Sequence, residues 1–280
     1  MNNLKTVALL GALTGIFLFI GGMAGGRQGM LIALVFAGLM NFVSYWFSDR
    51  IVLKAYRASA LNESEAPRIY AMVRELCQQV QVPMPAIYVF EQDSPNAFAT
   101  GRDPQKAVIA LSRGIMQLLK EEELKGVIAH ELTHVVNRDT LLQTVAATLA
   151  GAILFLAYQA RWFGVFAGGR DDDERGGIVG LMAMAILAPL AATLIQMAIS
   201  RSREYKADAG AAQLTHNPEG LAAALEKLTE YSKRLPLPAS RQTAHLFIVS
   251  PLSGKSLLAM FSTHPPIEER VTRLRAMRLT

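Results

Sequence analysis

The strongest chemical signal in this sequence is His130-Glu131-Leu132-Thr133-His134. Residues four apart on an α-helix project from one face, so the two imidazoles can hold a single Zn²⁺. Glu131 stands directly beside the first histidine, where its carboxylate can take a proton from a water that the metal activates. With 5 histidines in 280 residues, such a pattern arises by chance in roughly one chain in two hundred. Two solvent-facing histidines on an amphipathic helix are therefore a poor account of it. Val127, Ile128, Leu132, Val135 and Val136 predict that this helix is buried, where unpartnered polar groups would be costly.

A catalytic zinc takes three protein ligands and keeps its fourth position open. No third histidine follows His134 at short range, so that ligand must come from another part of the chain. The best candidate is Glu204, in Ser202-Arg203-Glu204-Tyr205-Lys206-Ala207-Asp208. Asp208 lies one helical turn further on, where it can accept the ring N–H of a ligating histidine, His130 foremost. Taken alone, these acids beside Arg203 and Lys206 read as surface charge pairs. Only the histidine helix gives them a metal to serve. Glu131 also separates two functions, because a zinc carrier or sensor needs ligands but no base beside an open position. His216 and His245 match no ligand pattern and read as surface or structural residues. The lone cysteine, Cys77, excludes an internal disulfide framework and reads as a small apolar residue on a helix face.

The elements that must position these groups begin with the membrane. Hydrophobic residues make up 51% of the chain and charged ones 18%, with a mean hydropathy of +0.26, below the usual charge content of about 25% for soluble domains. Four uncharged stretches are long enough to span hydrocarbon: Thr6 to Gly26, Gln28 to Ser48, Thr140 to Ala160 and Gly176 to Ser200. Arg27, among glycines, marks the turn of the first hairpin, and the weak cleavage signal at Gly22 to Gly26 predicts an uncleaved one. Pro189 interrupts the fourth stretch, so a hairpin packed on the protein or lying in the membrane surface would read similarly to a full crossing. Lys5, Arg50, Lys54, Arg57, Arg201, Arg203 and Lys206 flank the spans on one side, while the loop Arg170 to Arg175 is net acidic. The positive-inside rule then places both termini and the polar segments in the cytoplasm. The net charge of +5 accompanies no nucleic-acid motif, so the partners expected are a lipid bilayer and polypeptides, not nucleic acid.

The chain thus divides into an N-terminal transmembrane hairpin (1–49), a first polar block carrying the histidine helix (50–139), a second apolar hairpin (140–200) and a second polar block carrying the third ligand (201–280). In the first polar block, Glu63 to Val80 predicts a helix with Ile69, Met72, Val73 and Leu76 on one face. Ala86 to Phe90, Asn96 to Thr100 and Lys106 to Leu111 predict short strands. Glu121-Glu122-Glu123 opens the histidine helix with charges that suit its dipole. In the second block, Asn217-Pro218-Glu219 starts a helix leading to Leu221, Leu225 and Leu228. The fold class expected is a mostly α membrane protein with four apolar helices and a small β-sheet.

Four segments together, Asp93 to Gly101, His130 to His134, Glu204 to Asp208 and Ser262-Thr263-His264-Pro265-Pro266, resemble the HtpX family of bacterial inner-membrane heat-shock proteases. These are relatives of the eukaryotic prenyl-protein (CAAX) proteases. The resemblance implies a gluzincin-type metalloprotease domain, with one Zn²⁺ held by His130, His134 and Glu204 and with Glu131 as catalytic base. It implies that Asn96, Ala97 and Phe98 form an edge strand pairing with the substrate backbone. It further implies that His264 and Arg270 steady the oxyanion of the tetrahedral intermediate. Quality control of misfolded or damaged membrane proteins in the bacterial inner membrane, with possible self-cleavage, is likewise an implication of the resemblance.

The placement of the motifs adds an independent expectation. Both ligand-bearing helices read as extensions of the second apolar hairpin, so the zinc should sit at the cytoplasmic face, where membrane-bound substrates can reach it. Three rival readings are a prenyl-peptide protease, a non-hydrolytic membrane zinc-binding protein and an inactive scaffold of the same fold, the last disfavoured by the intact motif. Four apolar segments leave little room for the large intramembrane chamber of the first, and Glu131 argues against the second.

Overall fold

The computed structural model describes residues 2–143, 145, 201–234 and 265–278. Apart from 140–143 and 145, apolar segments three and four lie outside the described residues, as do His245 and His264.

Helix α1 (Asn2–Ala55) is a hairpin of two arms broken at Gly25 and Gly26. Gly26 adopts φ 55°, a left-handed conformation that glycine takes without steric cost, so the glycine cluster at Arg27 does turn the chain. The Asn41 amide donates to Thr14 Oγ1 at 2.9 Å, and Phe17 meets Phe36 edge-on at 5.3 Å, tying the arms together. Gly25–Phe47 is long and apolar enough to cross a membrane, with mean hydropathy 1.8 and only 11% of its apolar window buried. Leu31, Ile32, Val35 and Leu39 point away from the protein. A core helix would cover such residues, and hydrocarbon is the solvent that suits them. The protein is therefore a membrane protein with at least one N-terminal apolar span. The second arm continues unbroken to Ala55 and carries Arg50 and Lys54 into the first polar block.

Beyond it come β1 (Ser59–Ala60), α2 (Pro67–Val80), β2 (Ala86–Phe90), β3 (Ala97–Thr100), β4 (Val108–Ser112), α3 (Arg113–Leu118) and α4 (Glu121–Val136). The second polar block supplies α5 (Arg201–Thr215), α6 (Pro218–Arg234) and α7 (Ile267–Ala276). The strands form one mixed sheet in the order β1-β2-β4-β3, in which β2 and β4 are parallel and both outer pairings antiparallel. Two of the boundaries that differ from expectation have a local cause. Helix α2 starts at Pro67, not Glu63, because proline is favoured at a first helical position. Lys106 belongs to a 3₁₀ turn, not to a strand, since the Asp103 carboxylate accepts its backbone N–H at 2.9 Å.

Alternation along the strands gives the sheet two apolar faces. Ile87, Val89, Ala97, Ala99, Ile109 and Leu111 pack with α2, α4 and α6 in the main core, which also buries Cys77. Burial pushes the Cys77 thiol up to about 11, so it stays protonated and behaves as the small apolar residue expected. On the opposite face Phe90, Phe98, Val108 and Ala110 meet Val52 and Leu53 from the end of α1. Tyr56 completes a ring cluster with Phe90 and Phe98 at 5.2 and 5.0 Å. The sheet is thus held between the histidine helix and the root of the membrane arm.

Candidate metal centre

Helix α4 is fixed at its start and buried along its length. The Glu123 carboxylate accepts the Lys120 backbone N–H at 2.8 Å and pairs with Lys227 of α6 at 2.7 Å. From Val127 to Val135 every residue is buried, the histidines and Glu131 included. Helix α5 crosses α4 closely at Gly210, where a Cβ would lie 2.6 Å from Thr133 Cγ2. Thr133 stands between the two histidine turns, so this close crossing brings Glu204 and Asp208 onto the histidine face. Burial of both acids excludes the surface-pair reading for them. Lys206 remains exposed, as that reading required of all of them.

His130 Nε2 lies 3.7 Å from Glu204 Oε2, and His134 Nε2 lies 3.6 Å from Glu204 Oε1. One donor atom from each of the three residues falls within 4.8 Å of the others, a spacing that suits ligands around one ion with bonds of about 2.0–2.2 Å. The opposite ring nitrogens face carboxylates: His130 Nδ1 is 3.0 Å from Asp208 Oδ1, and His134 Nδ1 is 3.1 Å from Asp139 Oδ2. Each imidazole is thereby turned with Nε2 toward the centre, the arrangement that orients zinc ligands. Asp208 is itself gripped by the buried Arg270, whose Nε and Nη2 donate at 2.8 and 2.6 Å. Asp139 has the buried Arg203 beside it, with Nε at 4.0 Å.

Charge supports the same conclusion. Among the described residues, Glu131, Asp139, Glu204 and Asp208 are all buried at the centre, against two buried guanidiniums, Arg203 and Arg270. The remaining two negative charges match one divalent cation, and buried charge without a partner is costly. Without metal, protons are drawn in instead. Burial alone would push His134 down, but its hydrogen bond to Asp139 and the nearby Glu204 and Glu131 carboxylates lift it to about 9. Burial raises Glu131, and the Glu204 charge adds to this, against the lowering effect of the histidines and of the Ala99 N–H. Burial would also raise Asp208, yet Arg270 and then His130 hold it at about 2.

Comparison with known proteins agrees with the geometry. Over 276 residues the chain is 56% identical to a protease HtpX homolog of Desulforapulum autotrophicum, covering 98% of this chain and 89% of that one. It is 56% identical to one of Syntrophobacter fumaroxidans, covering 99% of each. The profile of Peptidase family M48 matches residues 63–278. The chain belongs to peptidase family M48, among the HtpX proteases. As an M48 enzyme it is a zinc metallopeptidase acting on polypeptides, with His130, His134 and Glu204 as the metal-binding triad. Its fold is similar to that in the crystal structure of S. mikatae Ste24p, at 20% identity and a TM-score of 0.52. That likeness covers 96% of this chain, which spans 64% of the length of the solved one.

The other M48 site candidates are placed as follows. Asn96 precedes β3, and both polar atoms of its buried amide lack a hydrogen-bond partner among the described residues. Ala97 and Phe98 are in β3, at the edge of the sheet. Arg270 reaches the centre through Asp208, with Nη1 3.9 Å from Glu204. The sequence does not single out Asp139, because no helical spacing relates it to His134. Helix α4 ends, Arg138 takes φ 56°, and this reversal returns the Asp139 side chain to the ring. An acid just past the second histidine was the available signal, and only the backbone path gave it meaning.

Two expectations arise here. Asp139→Asn and Asp208→Asn should each weaken zinc retention against a chelator by about 10- to 100-fold; retention equal to the parent's would remove that aspartate from the centre. In the chelated protein, His134 binds its proton more tightly folded than unfolded. Its contribution should be full below its ordinary value of 6.5 and lost as pH rises through about 9. Thermal unfolding of chelated parent and His134→Gln should therefore converge across that interval.

Proposed function

We propose that this enzyme is an integral-membrane endopeptidase of the bacterial inner membrane, cutting misfolded or damaged membrane proteins at the cytoplasmic face, with self-cleavage among its reactions. The observation that carries this reading is the bond from the Ala99 backbone N–H of β3 to Glu131 Oε2, at 2.8 Å. It joins a sheet edge to the residue beside the metal ligands.

The Ser112 N–H donates to Asn96 O at 2.8 Å, so by antiparallel alternation Phe98 and Thr100 exchange bonds with β4. Ala97 and Ala99 then turn their N–H and C=O groups outward. Ala99 N–H holds Glu131, so an extended substrate backbone would pair with the groups of Ala97 and the Ala99 carbonyl, although both residues lie covered in this structure. Pairing of this kind gives affinity without demanding a sequence, as suits an enzyme that meets many damaged chains. A zinc ion held by His130, His134 and Glu204 would supply Lewis acidity for the scissile carbonyl and would make a water more acidic. Glu131 serves as base, accepting the proton of the attacking water and passing it to the leaving amine. Its raised affinity for protons, through burial, suits that exchange. Arg270 positions Asp208 through Nε and Nη2, and its Nη1, 3.9 Å from Glu204, together with His264 makes the oxyanion pair that the resemblance implies.

Ala97→Pro removes one outward N–H while sparing the bonds to β4, a substitution edge strands tolerate. It should raise KM for an unfolded peptide several-fold with zinc content unchanged; an unchanged KM would remove β3 as the substrate strand. Topology has its own test. A cysteine at position 27 should label from outside and a reporter after Thr280 should register as cytoplasmic. For the second hairpin, read here as fully crossing, a cysteine at position 172 should also label from outside. The physiological reading is tested by proteomics of membranes carrying the parent or the Glu131→Gln protein. Membrane proteins enriched with the variant support it, and capture of soluble chains alone would sink it.

A further inference from the structure

The span Gly25–Phe47 ends in an aromatic cluster. Phe42, Tyr45, Trp46 and Phe47 are all exposed, Trp46 by 46%, and their rings touch at 5.6 to 6.2 Å. Arg50 follows, with its guanidinium 5.7 Å from the Phe47 ring. Rings followed by cations at the end of an apolar span are what a helix presents at the lipid headgroups, where amphipathic aromatics are at home and basic side chains meet phosphate.

One contact leads from this cluster to the catalytic unit. Arg102 Cζ stands 4.2 Å from the centre of the Trp46 ring, within cation–π range. Asp103 supports the arrangement, with Oδ2 3.4 Å from Arg102 Nε and Oδ1 accepting the Lys106 N–H. The preceding Gly101 has φ 124°, and its carbonyl accepts the Thr140 hydroxyl at 2.9 Å, just past the histidine helix. Two residues before Gly101, the Ala99 N–H holds Glu131. An unbroken run of contacts therefore joins an interfacial ring to the base beside the metal: Trp46, Arg102, the Gly101 turn, β3 and Glu131.

We infer that Trp46 and Arg102 form an anchor on the phospholipid interface that fixes the height and tilt of β3 over the bilayer, favouring bilayer-borne substrates over free peptides. This rests on β3 as the substrate strand, which the Ala97→Pro measurement tests separately.

The full chain is studied in phospholipid vesicles. Trp162→Phe leaves Trp46 as the one tryptophan of the 2 in the sequence, and lipids brominated near the headgroup or near the chain end serve as quenchers. Quenching of Trp46 should be stronger with bromine near the headgroup. Zinc-loaded parent, Trp46→Ala, Arg102→Gln and Arg102→Lys are then assayed on an unfolded peptide in detergent, and on the same peptide carried by a single-span anchor in vesicles. Trp46→Ala and Arg102→Gln should stay within about twofold of the parent on the free peptide and fall about tenfold on the anchored one. Arg102→Lys should keep most of the anchored activity. Absence of headgroup-side quenching would overturn the anchor, as would equal loss on both substrates or parental cleavage of the anchored one. Should Trp46→Ala fail to insert, the Arg102 pair and the quenching of Trp46 decide the matter.

Discussion

Glu131→Gln should abolish peptide hydrolysis while leaving the zinc in place. The substitution keeps size and shape and leaves His130, His134 and Glu204 untouched, so metal content should match the parent. The amide can still accept the Ala99 N–H bond that Glu131 Oε2 accepts at 2.8 Å, so β3 should keep its place. What disappears is the ability to take a proton, and general-base catalysis alone contributes about 10²–10⁴ in rate. Turnover of an unfolded peptide should fall by at least that factor, with peptide affinity retained. The contrasting change Glu204→Ala should lose metal and activity together. Comparable turnover by Glu131→Gln would remove the proposed mechanism, and full zinc after Glu204→Ala would overturn the ligand assignment.

Arg270→Met should destabilise the protein by about 3–5 kcal/mol, the usual consequence of leaving one member of a buried ion pair alone. Arg270 is fully buried and Asp208 nearly so, joined by two charge-assisted bonds. In the parent, Asp208 is held at about 2, below its ordinary 3.8, so its stabilising contribution is present above 3.8 and lost as pH falls through about 2. The variant lacks the larger cause of that depression, Arg270, and keeps only the smaller one, His130. The stability gap should therefore be widest near neutrality and narrow below about pH 4 as Asp208 takes a proton. Adding Asp208→Asn to Arg270→Met should recover part of the loss. Zinc retention should also fall, because the carboxylate beside His130 Nδ1 is no longer held. An arginine serving only the oxyanion would behave differently, losing turnover with stability and zinc retention unchanged. Thermal unfolding and chelator titration of the one variant decide between these roles.

The sequence by itself determined whatever depends on local spacing. The four-residue interval in His130 to His134 sets two imidazoles on one helical face wherever that helix goes, and the interval between Glu204 and Asp208 does the same for two carboxylates. Chain-local rules also set the turn near Arg27, the apolar length of the span and the helix start at Pro218. What lies between elements was decided only by the tertiary structure. Gly210 carries no sign of its role until α5 is seen crossing at Thr133. Asp139 joins His134 through a backbone reversal at Arg138, and Arg270 joins Asp208 from 62 residues away. Arg203, which reads as a surface base, lies buried beside Asp139. The physical reason is one of range. Helical period and apolar run length are fixed within a few residues of chain, whereas burial and charge neutralisation depend on which distant segments share one dry volume. The histidines could be named from their neighbours, but the groups that aim and balance them became visible only once the helices were packed.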